Sequence, residues 1–75
     1  MKQLVEYMAT SLVEDPSQVR VREVRTGHSV VIELHVGPDD MGRVIGKSGR
    51  VANAMRALLK VAAAKSGKRV SLEIV

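Results

Sequence analysis

Four consecutive residues, Gly46-Lys47-Ser48-Gly49, combine the residue types that grip a phosphate. A glycine at each end lets the chain reverse and approach a ligand with no Cβ in the way. Lys47 adds a mobile cation and Ser48 a hydroxyl, while Arg43 and Arg50 flank the turn. If a helix starts after Gly49, the N–H groups of Ser48, Gly49 and Arg50 are presented at its positive end, where an anion is favoured. The set suits a phosphodiester backbone. It holds no general base, activated nucleophile or metal ligand, and the chain is expected to be no enzyme and to need no cofactor.

The charge pattern points the same way. Between Met41 and Leu72 stand eight basic residues and no acid, a local charge of +8. The remainder of the 75 residues, with four basic and eight acidic side chains, carries −4. A solvated helix surface explains scattered lysines, but a complete absence of acids fits a polyanionic partner better. Tyr7 is the single aromatic residue. Modules that read single strands by stacking bases on a sheet need several aromatic side chains, so that mode is excluded.

Rival chemistries fail on spacing. Gly46-Lys47-Ser48 resembles the end of a nucleotide-binding P-loop, but the upstream glycine is Gly42, and that motif requires it at Met41. The segment before the turn also reads as helix, whereas a P-loop follows a strand. His28 and His35 fall in a turn and a strand with no cysteine nearby, and are expected to be surface histidines. Asp39-Asp40 is expected to cap a helix rather than to form an acid–base pair.

The elements that must position the turn follow from periodicity. Residues 2–14 form an amphipathic helix with Leu4, Met8 and Leu12 at i, i+4 and i+8 and Val5 and Ala9 beside them as core, ended by Asp15-Pro16. Residues 18–25 form a strand whose alternation slips at Glu23-Val24, suggesting a bulge or a twisted edge. Thr26-Gly27-His28 is a hairpin turn, and residues 29–36 give the cleanest strand, with Val30, Ile32, Leu34 and Val36 on one face. A short helix runs from Asp39 or Asp40 to Ile45. A longer one runs from Arg50 to about Ala64, with Val51, Met55, Leu58 and Ala62 as its apolar stripe and Leu59 and Ala63 widening it. Val70, Leu72 and Ile74 alternate in a last strand. The order is α-β-β-α-α-β, a two-layer α+β domain spanning residues 1–75, with three helices on one face of a three-stranded sheet.

The segment from Met41 to Arg56, MGRVIGKSGRVANAMR, resembles the core signature of KH domains, Val-Ile-Gly-Lys-x-Gly-Arg between two helices. The element order resembles the type II, bacterial form of that fold, and a single domain of this length is similar to the KhpA family. The resemblance implies that Gly46, Lys47, Ser48 and Gly49 clamp the backbone of about four nucleotides of single-stranded RNA, with the bases in an apolar groove beside the loop. It carries Arg43 and Arg50 to the basic positions beside the clamp, and Val44 and Ile45 to the apolar pair before it. Ile45 either lines the groove or fills the core, with the core favoured. The type II pattern also implies a mixed sheet with strand 29–36 in the centre, and a very short variable loop at Ser66 to Arg69 that gives little base selectivity. Family membership further implies a homodimer, or pairing with a larger KhpB-like KH protein, and a link to cell division and elongation. The alternative is a protein-interaction module acting mainly through that pairing. The absence of cysteine and of an 18-residue apolar run leads to an expected cytoplasmic location without membrane contact.

Overall fold

Strand β2 (Ser29–His35) organises the domain. Its alternation buries Val30, Ile32 and Leu34 on one face, each at most 2% exposed. A computed structural model, which describes residues 1–75, places β2 at the centre of a three-stranded sheet of order β1-β2-β3. Strand β1 (Arg20–Thr26) runs antiparallel to it, from Arg20 opposite His35 to Thr26 opposite Ser29. Strand β3 (Arg69–Ile74) runs parallel, with Val70 opposite Val30 and Leu72 opposite Ile32. Gly27, at φ +56°, supplies the hairpin turn.

Three helices cover the buried face: α1 (Lys2–Leu12), α2 (Met41–Ile45) and α3 (Arg50–Lys65). Single 3-10 turns stand at Pro16–Gln18, Pro38–Asp40 and Lys47–Gly49. The expected order and mixed topology are those observed. The core cluster draws Val5 and Ala9 from α1, Val44 from α2, and Met55 and Leu59 from α3 onto Val30, Ile32, Leu34 and Leu72. Full burial of a side chain such as Ile32 or Leu34 contributes about 1.5–3 kcal/mol.

The helices sit at a different rotation from the one periodicity suggests. In α1 the centre of the buried stripe is Val5 and Ala9, both fully buried, while Leu4 and Leu12 are 37% and 40% exposed. In α3 it is Ala52, Met55, Leu59 and Ala63, and Leu58 is 56% exposed. Alanines at the contact line let each helix lie close to the sheet, and the larger residues flank it.

No bulge interrupts β1, because its register with β2 is continuous. The slip in alternation has another cause. Glu23 takes a position on the helix-covered face and pairs there with Arg25 at 2.9 Å. That guanidinium, with lesser contributions from the N-terminal amine and the Lys2 backbone, holds the Glu23 carboxyl below the usual carboxylate range. No helix is long and apolar enough to cross a membrane.

Candidate nucleic-acid interface

Helix α2 has only five residues, so its position depends on what anchors its start. The anchor is Asp40, the single buried charged residue, 3% exposed. Its carboxylate makes no cap bond to its own helix. It accepts instead the backbone N–H groups of Glu14 and Asp15, at 3.0 and 3.1 Å. The expected capping role for Asp39 or Asp40 is thus corrected: Asp40 ties the connection after α1 to the start of α2. Arg43, one turn on, donates to Glu14 at 2.7 Å and lies 3.7 Å from the Asp40 carboxylate. Asp15 adds its own turn, and the Ser17 hydroxyl, then the Gln18 amide, hold its carboxyl below the usual range.

The other end of α2 is built from unusual backbone. Gly46 has φ +75° and ψ 172°, a conformation open essentially to glycine alone. A Cβ there would also stand 2.5 Å from Val51 Cγ2 and 2.8 Å from Val51 N. Ser48, at φ +57°, is the sole non-glycine residue with positive φ, and Gly49 follows at φ +76° to begin α3. The N–H of Gly49 donates to the Gly46 carbonyl and that of Arg50 to the Lys47 carbonyl. These two donors, expected to face a ligand, therefore serve the turn itself. Lys47, Ser48 and Arg50 are exposed, and neither Lys47 nor Arg50 takes part in an ion pair.

Behind the loop a cleft of about 400 Å³ runs between α3 and β3. Asn53, Arg56, Ala57 and Lys60 line it from the helix, and Val70 and Leu72 from the strand. Its walls are half apolar, with Asn53, Arg56 and Lys60 as the polar groups of the helix side and Ser71 on the strand side. Asn53 links it to the loop, since its amide nitrogen comes within 3.8 Å of the place a Gly49 Cβ would take. Arg56 bonds to the Asn53 amide oxygen at 3.3 Å and, across the cleft, to the Leu72 carbonyl. A second depression continues past Lys60 and Val70 to Lys68 and Arg69. Loop and cleft form one basic track, apolar along its floor.

Residues 2–74 match the family described as KhpA/KhpB, KH domain. The chain belongs to this KH-domain family. A protein of Halalkalibacterium halodurans named RNA-binding protein KhpA is 55% identical over 75 residues, covering 100% of this chain and 99% of that one. Proteins of the same name from Clostridium acetobutylicum and Aquifex aeolicus are 53% and 48% identical, each covering 100% of this chain and 100% and 95% of theirs. Among solved structures, Era in complex with MgGDPNP and nucleotides 1506–1542 of 16S ribosomal RNA superposes with a TM-score of 0.59 at 23% identity. It covers 97% of this chain and 28% of Era, a likeness of fold. The KhpA/KhpB family is one of KH domains and not of enzymes.

Within this KH domain the residues singled out in the sequence divide into two groups. Gly46, Lys47, Ser48, Gly49 and Arg50 come together at the turn. Arg43 is drawn off into the ion pairs with Glu14 and Asp40, which offset its charge. Val44 is fully buried in the core and has no surface to offer a ligand. Ile45 is 38% exposed, so the expectation that it fills the core is overturned. Asn53, Val70 and Leu72 carried no expectation of a binding role, and Arg56 and Lys60 counted only toward the basic stretch between Met41 and Leu72. Asn53, Arg56 and Lys60 recur at helical spacing on one side of α3, a signal present in the sequence, whereas the facing strand edge is set by tertiary packing.

Proposed function

We propose that this KH domain binds single-stranded RNA, with the Gly46–Gly49 turn against the sugar-phosphate backbone and the bases in the cleft between α3 and β3. One observation carries the reading. The two exposed cations at the turn, Lys47 and Arg50, have no acidic partner, and the turn opens onto a half-apolar cleft with Asn53, Arg56 and Lys60 along its wall. An exposed cation left unpaired in this way is available to a phosphate. The name RNA-binding protein borne by relatives of about half identity and full length supports it. A site of about four nucleotides offers about three phosphate contacts, so log K against log salt should fall with a slope of about −2. Fluorescence anisotropy on a labelled oligonucleotide from low to moderate salt measures this. A slope near zero contradicts the reading, and duplex RNA should bind less well because its bases are stacked.

A second observation favours pairing with another protein. Leu58 and Val61 are 56% and 60% exposed on the side of α3 turned away from both sheet and cleft. A homodimer, or a heterodimer with a larger KhpB-like protein, through this face would leave the loop open. We place the protein in the cytoplasm, as a post-transcriptional regulator tied to cell division and elongation, on the strength of the family resemblance. Sedimentation of the wild type and of Leu58→Asp tests the pairing. A monomer at high micromolar concentration that does not take up a KhpB-like partner argues against it.

A further inference from the structure

We infer that Arg56 sets the base preference of the cleft by occupying the Leu72 carbonyl, an inference that rests on the RNA-binding reading above.

Strand β3 is an edge strand, bonded to β2 on one side only. The N–H of Arg69 donates to the His28 carbonyl and that of Val75 to the Leu34 carbonyl, so odd-numbered residues of β3 turn their backbone groups toward β2. Because strand backbone alternates with a period of two, Val70, Leu72 and Ile74 turn theirs to the open edge. Val70 and Leu72 line the cleft. An open strand edge offers one donor and one acceptor at each such residue, and a base in the cleft would meet both.

At Leu72 that balance is altered. Arg56 reaches across from α3 and donates to the Leu72 carbonyl through Nε at 3.4 Å and Nη2 at 3.3 Å. The guanidinium is held there by a further bond from Nη1 to Asn53 Oδ1 at 3.3 Å. With its oxygen engaged, the Asn53 amide is left with N–H groups to donate. The cleft therefore presents the Leu72 N–H, the remaining Arg56 and Asn53 N–H groups and the Lys60 ammonium. Of the two carbonyls on this stretch of edge, only that of Val70 stays uncovered. Along the edge that carries N7 of a purine and position 4 of a pyrimidine, the edge the cleft would meet, guanine and uracil bear carbonyl oxygens where adenine and cytosine bear amino groups. A donor-rich cleft accepts the former and leaves an amino group without a partner, and an unpartnered polar group in a cleft lowers affinity. Arg56 thus makes the site prefer uracil and guanine, and the preference belongs to this side chain and not to the strand edge, whose free carbonyl would favour the opposite pair.

The test compares four labelled single-stranded RNAs, rich in U, G, C or A and kept unstructured, on the wild type and on Arg56→Met and Arg56→Lys. Arg56 is exposed, so the fold is retained, and the melting temperature of each preparation confirms it. Losing a cation weakens all four RNAs, so the ratio between them is the reading. The wild type should bind U- and G-rich strands at least about fivefold tighter than C- and A-rich ones. In Arg56→Met the freed carbonyl should abolish or reverse that ratio, with Arg56→Lys between the two. A wild type that favours C or A, or shows no preference, overturns the inference while the RNA-binding reading stands. Survival of the ratio in Arg56→Met overturns it as well. A wild type that binds none of the four overturns both.

Discussion

The two ends of α2 lie five residues apart and are held in opposite ways. At its start, Asp40 is buried, bonded to two backbone N–H groups and close to Arg43, which pairs in turn with Glu14. Asp40, Arg43 and Glu14 are thus joined to one another within the protein. At its end, Gly46, Ser48 and Gly49 all take positive φ, and Lys47 and Arg50 are unmatched. Unusual backbone persists only where surrounding structure fixes it. One end of the helix thus anchors the other, where the RNA contact is proposed. Basic residues close in sequence, Arg43 and Lys47, thereby acquire different work.

The most damaging way to break this contrast is at the anchor. Asp40→Ala removes the acceptor of two part-buried N–H groups and leaves Arg43 with one partner. The expected loss is about 2–4 kcal/mol in denaturant unfolding, a large share of the stability of so small a domain. Saturated with RNA, the remaining folded protein should still bind, because no loop group is altered. A variant of unchanged stability would show that Asp40 anchors nothing.

Gly46→Ala probes the strained end. The new methyl group meets Val51 and the backbone occupies a region closed to alanine, so unfolding should become easier by about 2–3 kcal/mol. Here RNA affinity should fall as well, since the turn must reshape. A Gly46→Ala protein as stable as the wild type would mean that the turn adopts another conformation.

Arg43→Ala has the smallest expected effect and sharpens the division of labour. The Arg43–Glu14 pair is largely exposed, so its loss should cost at most about 1 kcal/mol. RNA affinity should fall less than about threefold, the effect of one distant charge. A tenfold loss of affinity without loss of stability would return Arg43 to the loop's cations.

The contrast also explains what the sequence made legible. The order of elements and the central strand could be read because Val30, Ile32 and Leu34 alternate cleanly, and the Gly46–Gly49 turn because two glycines and a lysine stand between helical segments. The rotation of α1 and α3 could not. Periodicity weights large residues such as Leu4 and Leu58, whereas close approach to the sheet is governed by Ala9, Ala52 and Ala63. The role of Asp40 was hidden for a related reason. Its partners, Glu14 and Asp15, lie about 25 positions away, and nothing local distinguishes a carboxylate that caps its own helix from one that ties down another segment. The cleft was invisible because its far wall is the edge of β3, brought beside α3 only by the fold. Glu23 misled in the opposite sense: a charged residue on the covered face imitated a bulge.

Whether the unmatched end of α2 grips RNA while the matched end holds the fold is decided by the double variant Lys47→Asp/Ser48→Asp. Both side chains are exposed, aspartate tolerates the left-handed backbone of position 48, and negative charge near the start of α3 is mildly favourable. RNA affinity and melting temperature are measured on one preparation. This division of labour predicts loss of detectable RNA binding, with the melting temperature within a few degrees of wild type. RNA affinity retained at an unchanged melting temperature would contradict it.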